Sequence, residues 1–299
     1  MAQFHNLQVF VKVAELSGFA SAARALNMSA PAVTRAISAL EDRMGVRLFV
    51  RTTRNVRLSE SGQRFLVDAK RILQDLEDAE NAAVGLHVEP RGELRLTAPV
   101  LFGRLYVTPV LIDFLHKYPD VSGQTLFVDR LVNLMEEGQD VAIRIGELQD
   151  SSLTAIRAGF VRRVLFASPQ YLARFGHPKT PDDLQGHQIV QSLAMGNSTD
   201  WAFLNKGVEQ SVKVHPKLKM NTNDAVIEAV RSGAGISRLL SYQLTAAMAK
   251  NEVVIILEDF ETPPVPIHVV HHEGRQVSAK VRAFVDFMID RLRACSDLR

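Results

Sequence analysis

Residues 19–49 read FASAARALNMSAPAVTRAISALEDRMGVRLF, and this stretch decides the fold of the first part of the chain. An apolar pattern at Leu7, Phe10, Val11 and Ala14 predicts one helix that stops near Ser17-Gly18. The alanine-rich segment that follows predicts a short second helix, for which Ser21 is the expected cap. Asn27-Met28 ends that segment.

A third helix is predicted to begin at Ser29, which can cap it, with Pro31 in its first turn. Its apolar stripe consists of Val33, Ile37, Leu40 and Met44. A rotation of 100° per residue places Pro31, Arg35 and Ser38 on the opposite face, with Thr34 beside them. Three short helices, the last with a small polar and arginine outer face, predict a helix-turn-helix that enters the major groove of DNA at positions 30–38.

The segment 46–58 predicts a hairpin wing, with apolar residues at 46, 48 and 50 and again at 56 and 58. Arg51 and Arg54 lie at or near its tip, where a basic projection can reach phosphates or the minor groove. The alternative is a purely structural three-helix bundle with a hairpin. The predicted DNA-binding residues are Ser29, Ala30, Pro31, Thr34, Arg35, Ser38, Arg51, Thr52, Thr53 and Arg54.

Charge and composition set the class of protein. The chain of 299 residues has a formal net charge of +2, but residues 1–58 hold eight Lys and Arg against three Asp and Glu. This basic block favours a polyanionic partner, although a solvated basic face is the alternative on charge alone. One cysteine, Cys295, suits a reducing compartment, and the apolar runs are shorter than the ~20 residues of a membrane span. We therefore expect a cytoplasmic protein with no membrane partner.

A long helix is predicted from Ser59 onward. Apolar residues at Phe65, Ala69, Ile72, Leu76, Ala79 and Ala83 follow steps of four and three, which indicates a heptad-like seam. Such a seam pairs most simply with a second copy of the chain, the alternative being packing on the chain's own C-terminal domain. Gly85 and the segment 89–92 then mark a linker.

From residue 93 the pattern alternates strands and helices, which predicts an α/β domain with a parallel sheet. Strands are expected at 93–98, 122–129, 140–145 and 163–167, near 236–240 and at 265–271. Helices are expected at 103–118, 131–137 and 224–232, and an amphipathic helix closes the chain. The periodicity alone leaves one or two lobes open.

The stretch 19–49 resembles the winged helix-turn-helix of LysR-type transcriptional regulators. The similarity continues through VRTTR at 50–54, LSESG at 58–62, GELRLTAP at 92–99, DVAIRIG at 140–146 and SPQYL at 168–172. It therefore covers essentially the whole chain. Ala30 is a departure, because many members carry glutamine there, and a base-reading amide is missing.

The resemblance implies a winged helix-turn-helix at 1–59, a linker and dimerisation helix with a hinge at 60–91, and an effector-binding domain at 92–299. That domain is expected to be periplasmic-binding-protein-like, with lobe I at 92–162 and 268–299 and lobe II at 163–267. The resemblance also implies dimers or tetramers on a dyad operator of double-stranded DNA, effector-dependent DNA bending and contact with RNA polymerase.

A small-molecule effector is expected where helix N-termini face the carboxyl ends of strands. Two segments meet this description, 98–102 after the first strand and 222–223 before a later helix, and both could donate hydrogen bonds to a small organic or aromatic acid. The predicted effector-binding residues are Ala98, Pro99, Val100, Leu101, Phe102, Val128, Ile145, Phe166, Ser168, Thr222 and Asn223.

No nucleotide-binding, hydrolase or zinc-protease motif is present in the sequence, so no enzyme activity, metal or cofactor is expected. His271-His272-Glu273 reads as the end of a strand rather than a metal site. Two alternatives stay open. One is a solute-binding module or small-molecule enzyme with a vestigial N-terminal domain, and the other is constitutive DNA binding without an effector.

Overall fold

The computed structural model describes residues 2–51, 56–83, 89–148, 153–194, 196–272 and 278–298. The chain divides into two compact units, Met1–Val88 and Glu89–Arg299. Within the described residues, no helix is long and apolar enough to cross a membrane.

The first unit contains four helices and a two-stranded hairpin. They are α1 (Ala2–Leu16), α2 (Phe19–Ala25), α3 (Ala30–Met44), β1 (Phe49–Arg51), β2 (Val56–Leu58) and α4 (Glu60–Ala83). Phe10 of α1 is fully buried, and its ring contacts Phe49 of the hairpin and Phe65 of α4, with centroids 5.4 and 5.2 Å apart. The core of this unit therefore joins the helices, the hairpin and the start of α4.

Three local predictions for this unit are wrong. Ser21 does not cap α2, because the helix begins at Phe19 with Gly18 as its N-cap, and the Ser21 hydroxyl donates to the Gly18 carbonyl at 3.0 Å. Met44, at the end of the predicted stripe, is 36% exposed. In the wing, Val46 and Val50 are exposed while Phe49 is buried, so the strand does not follow the expected alternation.

The seam of α4 divides into two parts. Ala69 is buried in the core of the first unit, and Phe65 packs against the same core. Ile72 is 39% exposed and Leu76 is half-buried, while the side chains of Ala79 and Ala83 lie outside the described residues. The first two positions of the seam are thus used within the first unit itself, an outcome that neither expected alternative included. Gly85 lies outside the described residues.

The second unit is a mixed α/β domain. Its strands are β3 (Gly92–Ala98), β4 (Val121–Phe127), β5 (Val141–Ile145), β6 (Leu153–Val161), β7 (Arg163–Ala167), β8 (Ile189–Ser192), β9 (Asp200–Asn205), β10 (Val208–Lys213), β11 (Pro216–Met220), β12 (Ser237–Leu240), β13 (Val254–Ile256) and β14 (Val265–His272). Its helices are α5 (Val100–Phe102), α6 (Thr108–Lys117), α7 (Pro169–Phe175), α8 (Asn223–Arg231), α9 (Thr245–Ala249) and α10 (Ala279–Ala294).

Within the described residues, the strands of this unit form a five-stranded sheet, a three-stranded sheet and the two-stranded pairs β9-β10 and β8-β11, and the two larger sheets define two lobes. Lobe I has the strand order β4-β3-β5-β14-β6, in which β14 is antiparallel to both of its neighbours. In lobe II, β7 lies between β12 and β13, and both pairings are antiparallel. A parallel bridge between Ile189 and Ile236 connects the parallel pair β8-β11 to this sheet. The predicted parallel sheet is present in β4-β3-β5, but β14 pairs antiparallel with β5 and β6, so the sheet as a whole is mixed.

The chain crosses between the lobes twice. The first crossing is at Arg162, between β6 and β7, where it was expected. The second lies before Val265, because β14 belongs entirely to the sheet of lobe I. Residues 265–267 thus lie in lobe I and not, as predicted, in lobe II.

Two predicted helices differ from the structure. The segment 131–137 forms no helix, and a turn occupies 134–138. The Asn133 side chain accepts hydrogen bonds from the backbone N–H groups of Met135 and Glu136 at 3.1 and 3.4 Å, and this local turn competes with helix formation. The segment 103–118 is helical, but a π-helical turn at Gly103–Val107 separates α5 from α6.

Candidate nucleic-acid interface and effector cavity

Helix α3 presents the predicted outer face to solvent. Ser29 is its N-cap, and the Ser29 hydroxyl accepts a hydrogen bond from the N–H of Ala32 at 3.3 Å. Ala30, Pro31 and Arg35 are exposed. Val33 and Ile37 on the opposite side are fully buried, so packing fixes the rotation of the helix about its axis.

The polar residues on this face differ in solvent exposure and in their hydrogen bonds. Arg35 has no ion-pair partner among the residues that the structure describes. The Thr34 hydroxyl donates to the Ala30 carbonyl at 3.0 Å, so its proton is used within the helix. Ser38 is half-buried. The exposed guanidinium of Arg35 is therefore available to bind a base edge or a phosphate.

The wing strands β1 and β2 pair antiparallel, with Phe49 opposite Leu58. The predicted contacts Thr52, Thr53 and Arg54, and the side chain of Arg51, lie outside the described residues. What the structure describes is the base of the wing.

Glu41 anchors this base, and the sequence analysis missed it. Its side chain is 2% exposed, and one carboxylate oxygen accepts from the N–H groups of Leu48 and Phe49 at 2.8 and 3.1 Å. The other oxygen accepts from Arg47 Nη1 at 2.9 Å. Burial by itself would raise the pKa of Glu41, but the hydrogen bonds from Arg47, Leu48 and Phe49 outweigh it and leave the pKa below its usual value. Glu41 thus connects the recognition helix to the wing.

Ser59 makes a second connection at the wing. Its hydroxyl donates to the Arg47 carbonyl at 2.6 Å and accepts from the N–H of Gly62 at 2.9 Å in the first turn of α4. Its backbone N–H donates to the Leu48 carbonyl at 2.9 Å. Short hydrogen bonds thus tie the segment before the wing to the start of the long helix.

The second unit contains a cavity of about 310 Å³ between the two lobes. It is lined by the ends of β3 and β4, by β5, by the start of β7 and by residues next to β12 and α8. The predicted residues that line it are Ala98, Pro99, Val128, Ile145 and Asn223.

The other predicted effector residues do not line the cavity. Leu101 and Phe102 are buried in the core of lobe I, and Phe166 is fully buried in lobe II. Ser168 is the N-cap of α7, and its hydroxyl accepts from the N–H of Tyr171 at 3.3 Å. The remaining two residues outside the lining are Val100 and Thr222.

Neither expected helix N-terminus is simply open to a ligand. The N–H of Val100 donates to Asp129 Oδ1 at 3.0 Å, so the protein's own carboxylate occupies that position. Asn223 Oδ1 accepts from the Ser192 hydroxyl at 2.6 Å, which uses one of its two lone pairs and holds the side chain in place. Thr222, the N-cap of α8, makes no side-chain capping bond and is exposed.

Several polar residues of the cavity were not predicted. They are Asp129, Arg130, Arg144, Arg163, Tyr242 and Gln243. The position of Asp129 directly after β4 was a usable signal, because ligands gather beyond the carboxyl ends of strands. Arg163 and Tyr242 come from positions far apart in the chain, and only the folded sheet brings them together.

The aromatic wall of the cavity belongs to a cluster at the boundary of the lobes. Tyr242 follows β12, and its ring contacts Phe102 and Tyr106 of lobe I at centroid distances of 5.2 and 5.9 Å. Burial raises the pKa of Tyr242 far above its usual value, so the phenol is neutral. Its hydroxyl accepts from Gln243 Nε2 at 3.3 Å.

Among the described residues, no group of three or more His, Cys, Asp or Glu side chains could hold a metal ion. His271 and His272 lie at the end of β14, as predicted, and Glu273 lies outside the described residues.

Comparisons with known proteins cover both units. Residues 4–63 match the family described as bacterial regulatory helix-turn-helix protein, lysR family, and residues 87–293 match the LysR substrate binding domain. An HTH-type transcriptional regulator of Xanthomonas campestris pv. campestris is 34% identical over 97% of this chain and 85% of that protein. The regulator CrgA of Neisseria meningitidis is 31% identical over 96% of each chain.

Solved structures agree with the sequence matches. The structure of CrgA, a LysR-type transcriptional regulator from Neisseria meningitidis, matches with a TM-score of 0.62 and 30% identity over 96% of this chain and 98% of that chain. The full-length Vibrio cholerae virulence activator AphB matches with a TM-score of 0.62 and 27% identity over 96% and 98% of the two chains. These relatives are named as transcriptional regulators, which decides against an enzyme. The chain belongs to the LysR-type family of DNA-binding transcriptional regulators.

Proposed function

We propose that this regulator reads a dyad operator through the outer face of α3, with Arg35 as its main base-reading residue. The observation that carries this proposal is the exposed Arg35 guanidinium on a helix whose rotation is fixed by buried Val33 and Ile37. Arginine pairs with guanine in the major groove through two parallel hydrogen bonds. Pro31, Thr34 and Ser38 then lie at the groove, and Arg51, Thr52, Thr53 and Arg54 contact the DNA backbone or the minor groove.

The test is the binding of wild type and Arg35→Ala to an operator selected from random duplexes. Loss of one bidentate base contact is expected to cost about 1–3 kcal/mol of specific binding and to relax the preference at one base pair. Arg43→Ala removes an exposed arginine from the other end of the same helix and is the matched control. Equal operator affinity of wild type and Arg35→Ala would refute the assignment.

We further propose that a small organic or aromatic acid is the effector and binds in the cavity between the lobes. A cavity of about 310 Å³ at the carboxyl ends of β3 and β4 supports this, since small-molecule sites occupy such positions and begin at about 300 Å³. An effector acts only if it binds one arrangement of the regulator more tightly than another. Thermal stabilisation of the full chain by small acids is the direct measurement, and a regulator that binds DNA without an effector would show none.

Self-association through α4 is the third part of the proposal. Ile72 and Leu76 continue the seam beyond the part that packs on the first unit, and a second copy covers them in a dimer. Two recognition helices then reach the two half-sites, tetramers bend the DNA, and the bend controls contact with RNA polymerase. Ile72→Glu is expected to lower the molar mass in sedimentation, whereas Val67→Glu, at an exposed position outside the seam, is not. A monomeric wild type would contradict the dimer.

A further inference from the structure

The cavity contains a cation that the protein does not neutralise. Arg130 lines the cavity, but its guanidinium donates to both carboxylate oxygens of Glu137 at 2.7 and 2.6 Å. Arg144 has no carboxylate partner in the described structure, but it donates to the Val132 carbonyl at 2.9 Å. Arg163 has no carboxylate within ion-pair distance among the described residues, and its Nε is buried with no hydrogen-bond partner there. A buried donor without an acceptor is costly, so its retention needs a reason.

A second arginine, Arg238, lies near Arg163 on the neighbouring strand β12. Arg163 pairs with Leu240 across the β7-β12 ladder, and Arg238 lies two residues from Leu240, on the same face of the sheet. Burial, with the charge of Arg163 added, lowers the pKa of Arg238 to about 9. Burial likewise lowers the pKa of Arg163 below its usual value. Burial is the main cause of both shifts, and no carboxylate is paired with either guanidinium in the described part of the chain.

The chemistry of arginine indicates which kind of ligand would pair with Arg163. A guanidinium offers parallel N–H donors that match the two oxygens of a carboxylate, and such pairs are stronger when water is excluded. The carboxylate in the cavity, Asp129, already accepts from the N–H of Val100 and lies on the other lobe. Among the described residues, no carboxylate is thus paired with Arg163, and a carboxylate supplied by a ligand would complete the pair.

We propose that the Arg163 guanidinium is the anion-binding group of the cavity and that the effector is a small molecule with a carboxylate that pairs with it. This inference rests on the proposed effector function and names the chemistry of that site. The body of the molecule lies against Val128, Ile145 and Val265, which line the same cavity. Arg163 directly follows the first crossing between the lobes, so an anion bound to Arg163 lies next to a segment that connects them.

The experiment compares acids with their uncharged amides at constant ionic strength. Propionate, succinate and benzoate are each titrated into the full chain beside propionamide, succinamide and benzamide. Binding is followed by the melting temperature and by the fluorescence of Trp201, the chain's only tryptophan, whose ring lies 4.8 Å from the guanidinium carbon of Arg238. At least one acid is expected to bind, and its amide to bind at least tenfold more weakly.

Variants assign the effect to one side chain. Arg163→Gln is expected to weaken acid binding at least tenfold, and Arg163→Lys to restore part of it, because an ammonium keeps the charge but not the paired donors. Arg174→Gln removes an exposed arginine from α7 and is expected to bind like wild type. Unchanged acid binding by Arg163→Gln overturns the proposal, as does equal binding of acid and amide.

The ligand-free protein provides an independent readout. Arg163→Met removes a half-buried charge that has no carboxylate partner among the described residues, and the melting temperature of this variant is expected to rise by about 2–4 °C. A purely structural arginine would instead lower it on replacement. If no acid in the panel binds, the carboxylate assignment is wrong, whereas amide binding that survives in Arg163→Gln would leave the proposed effector function intact.

Discussion

Glu41 in the DNA-binding unit and Arg163 in the effector domain are both charged side chains withdrawn from water, and the protein treats them in opposite ways. The Glu41 carboxylate receives three hydrogen bonds from nearby groups, so its charge is fully used inside the fold. The Arg163 Nε has no partner in the described structure. The comparison separates a charge that holds two elements together from a charge that stays open for a ligand, and it predicts mutations of opposite sign at the two sites.

The largest effect is expected for Glu41→Ala. The substitution leaves two backbone N–H groups near the wing without their acceptor, and we expect a loss of about 3 kcal/mol in the stability of the first unit. Urea unfolding followed by helical circular dichroism measures it, while Trp201 fluorescence reports the effector domain separately. Glu60→Ala, at an exposed site in α4, is the control. A urea midpoint equal to that of wild type would show that Glu41 does not stabilise the first unit.

The next effect concerns Gly62, in the first turn of α4. A Cβ atom at this position would overlap the Leu48 carbonyl oxygen, a backbone atom that cannot rotate away. Gly62→Ala is therefore expected to destabilise the first unit by about 1–3 kcal/mol, through displacement of the wing base from α4. Gly186→Ala in the effector domain meets no atom within 4 Å and serves as the control. Equal melting of the two variants would mean that the contact of Gly62 with Leu48 yields easily.

A smaller effect is expected from acid. Because the pKa of Glu41 is lower in the folded protein than its usual value near 4.5, its ionised form stabilises the fold fully above that value. This stabilisation is lost as the pH falls from about 4.5 through the lower folded pKa. The circular dichroism midpoint of wild type is expected to fall more steeply between pH 5 and 3 than that of Glu41→Gln. Parallel curves would show that the titration of Glu41 does not contribute.

The smallest effect is expected at an exposed ion pair of the effector domain. Arg104 and Asp224 lie 3.2 Å apart, with 61% and 51% of their side chains exposed. Since water screens such pairs, Arg104→Gln is expected to change the stability by less than about 0.5 kcal/mol. Trp201 fluorescence during urea unfolding measures it, in low and in high salt. A loss of stability as large as that of Glu41→Ala would show that solvent exposure does not weaken this ion pair.

The DNA-binding unit was largely predictable because its signals are local. The cap at Ser29 and the buried stripe of Val33, Ile37 and Leu40 are written in short segments of sequence, and the structure confirms them. The burial of Phe49 was not predictable from alternation. The strand that contains it has three residues, and the long-range bonds from Glu41 to Leu48 and Phe49 fix its position.

The effector domain was predictable in class but not in its cavity. Six of the twelve strands described in this domain and the C-terminal helix were found from apolar patterns, whereas β6, β8 to β11 and β13 were given no range and the side-chain turn at Asn133 replaced a predicted helix. The cavity combines Ala98, Arg163 and Tyr242, which are separated by tens of residues. No local pattern marks such residues, since their common position depends on the pairing of distant strands.

The position of β14 in the sheet of lobe I has a consequence for synthesis on the ribosome. Strand β6 pairs with β14 alone, and β14 begins at Val265, so this sheet stays incomplete until most of the chain has emerged. The elements of the first unit end at Ala83 and depend on contacts within that segment. At about 5–20 residues per second, the DNA-binding unit is free to fold many seconds before its sensor is complete. A nascent chain can thus complete its DNA-binding unit while the sheet of lobe I in its effector domain is still unfinished.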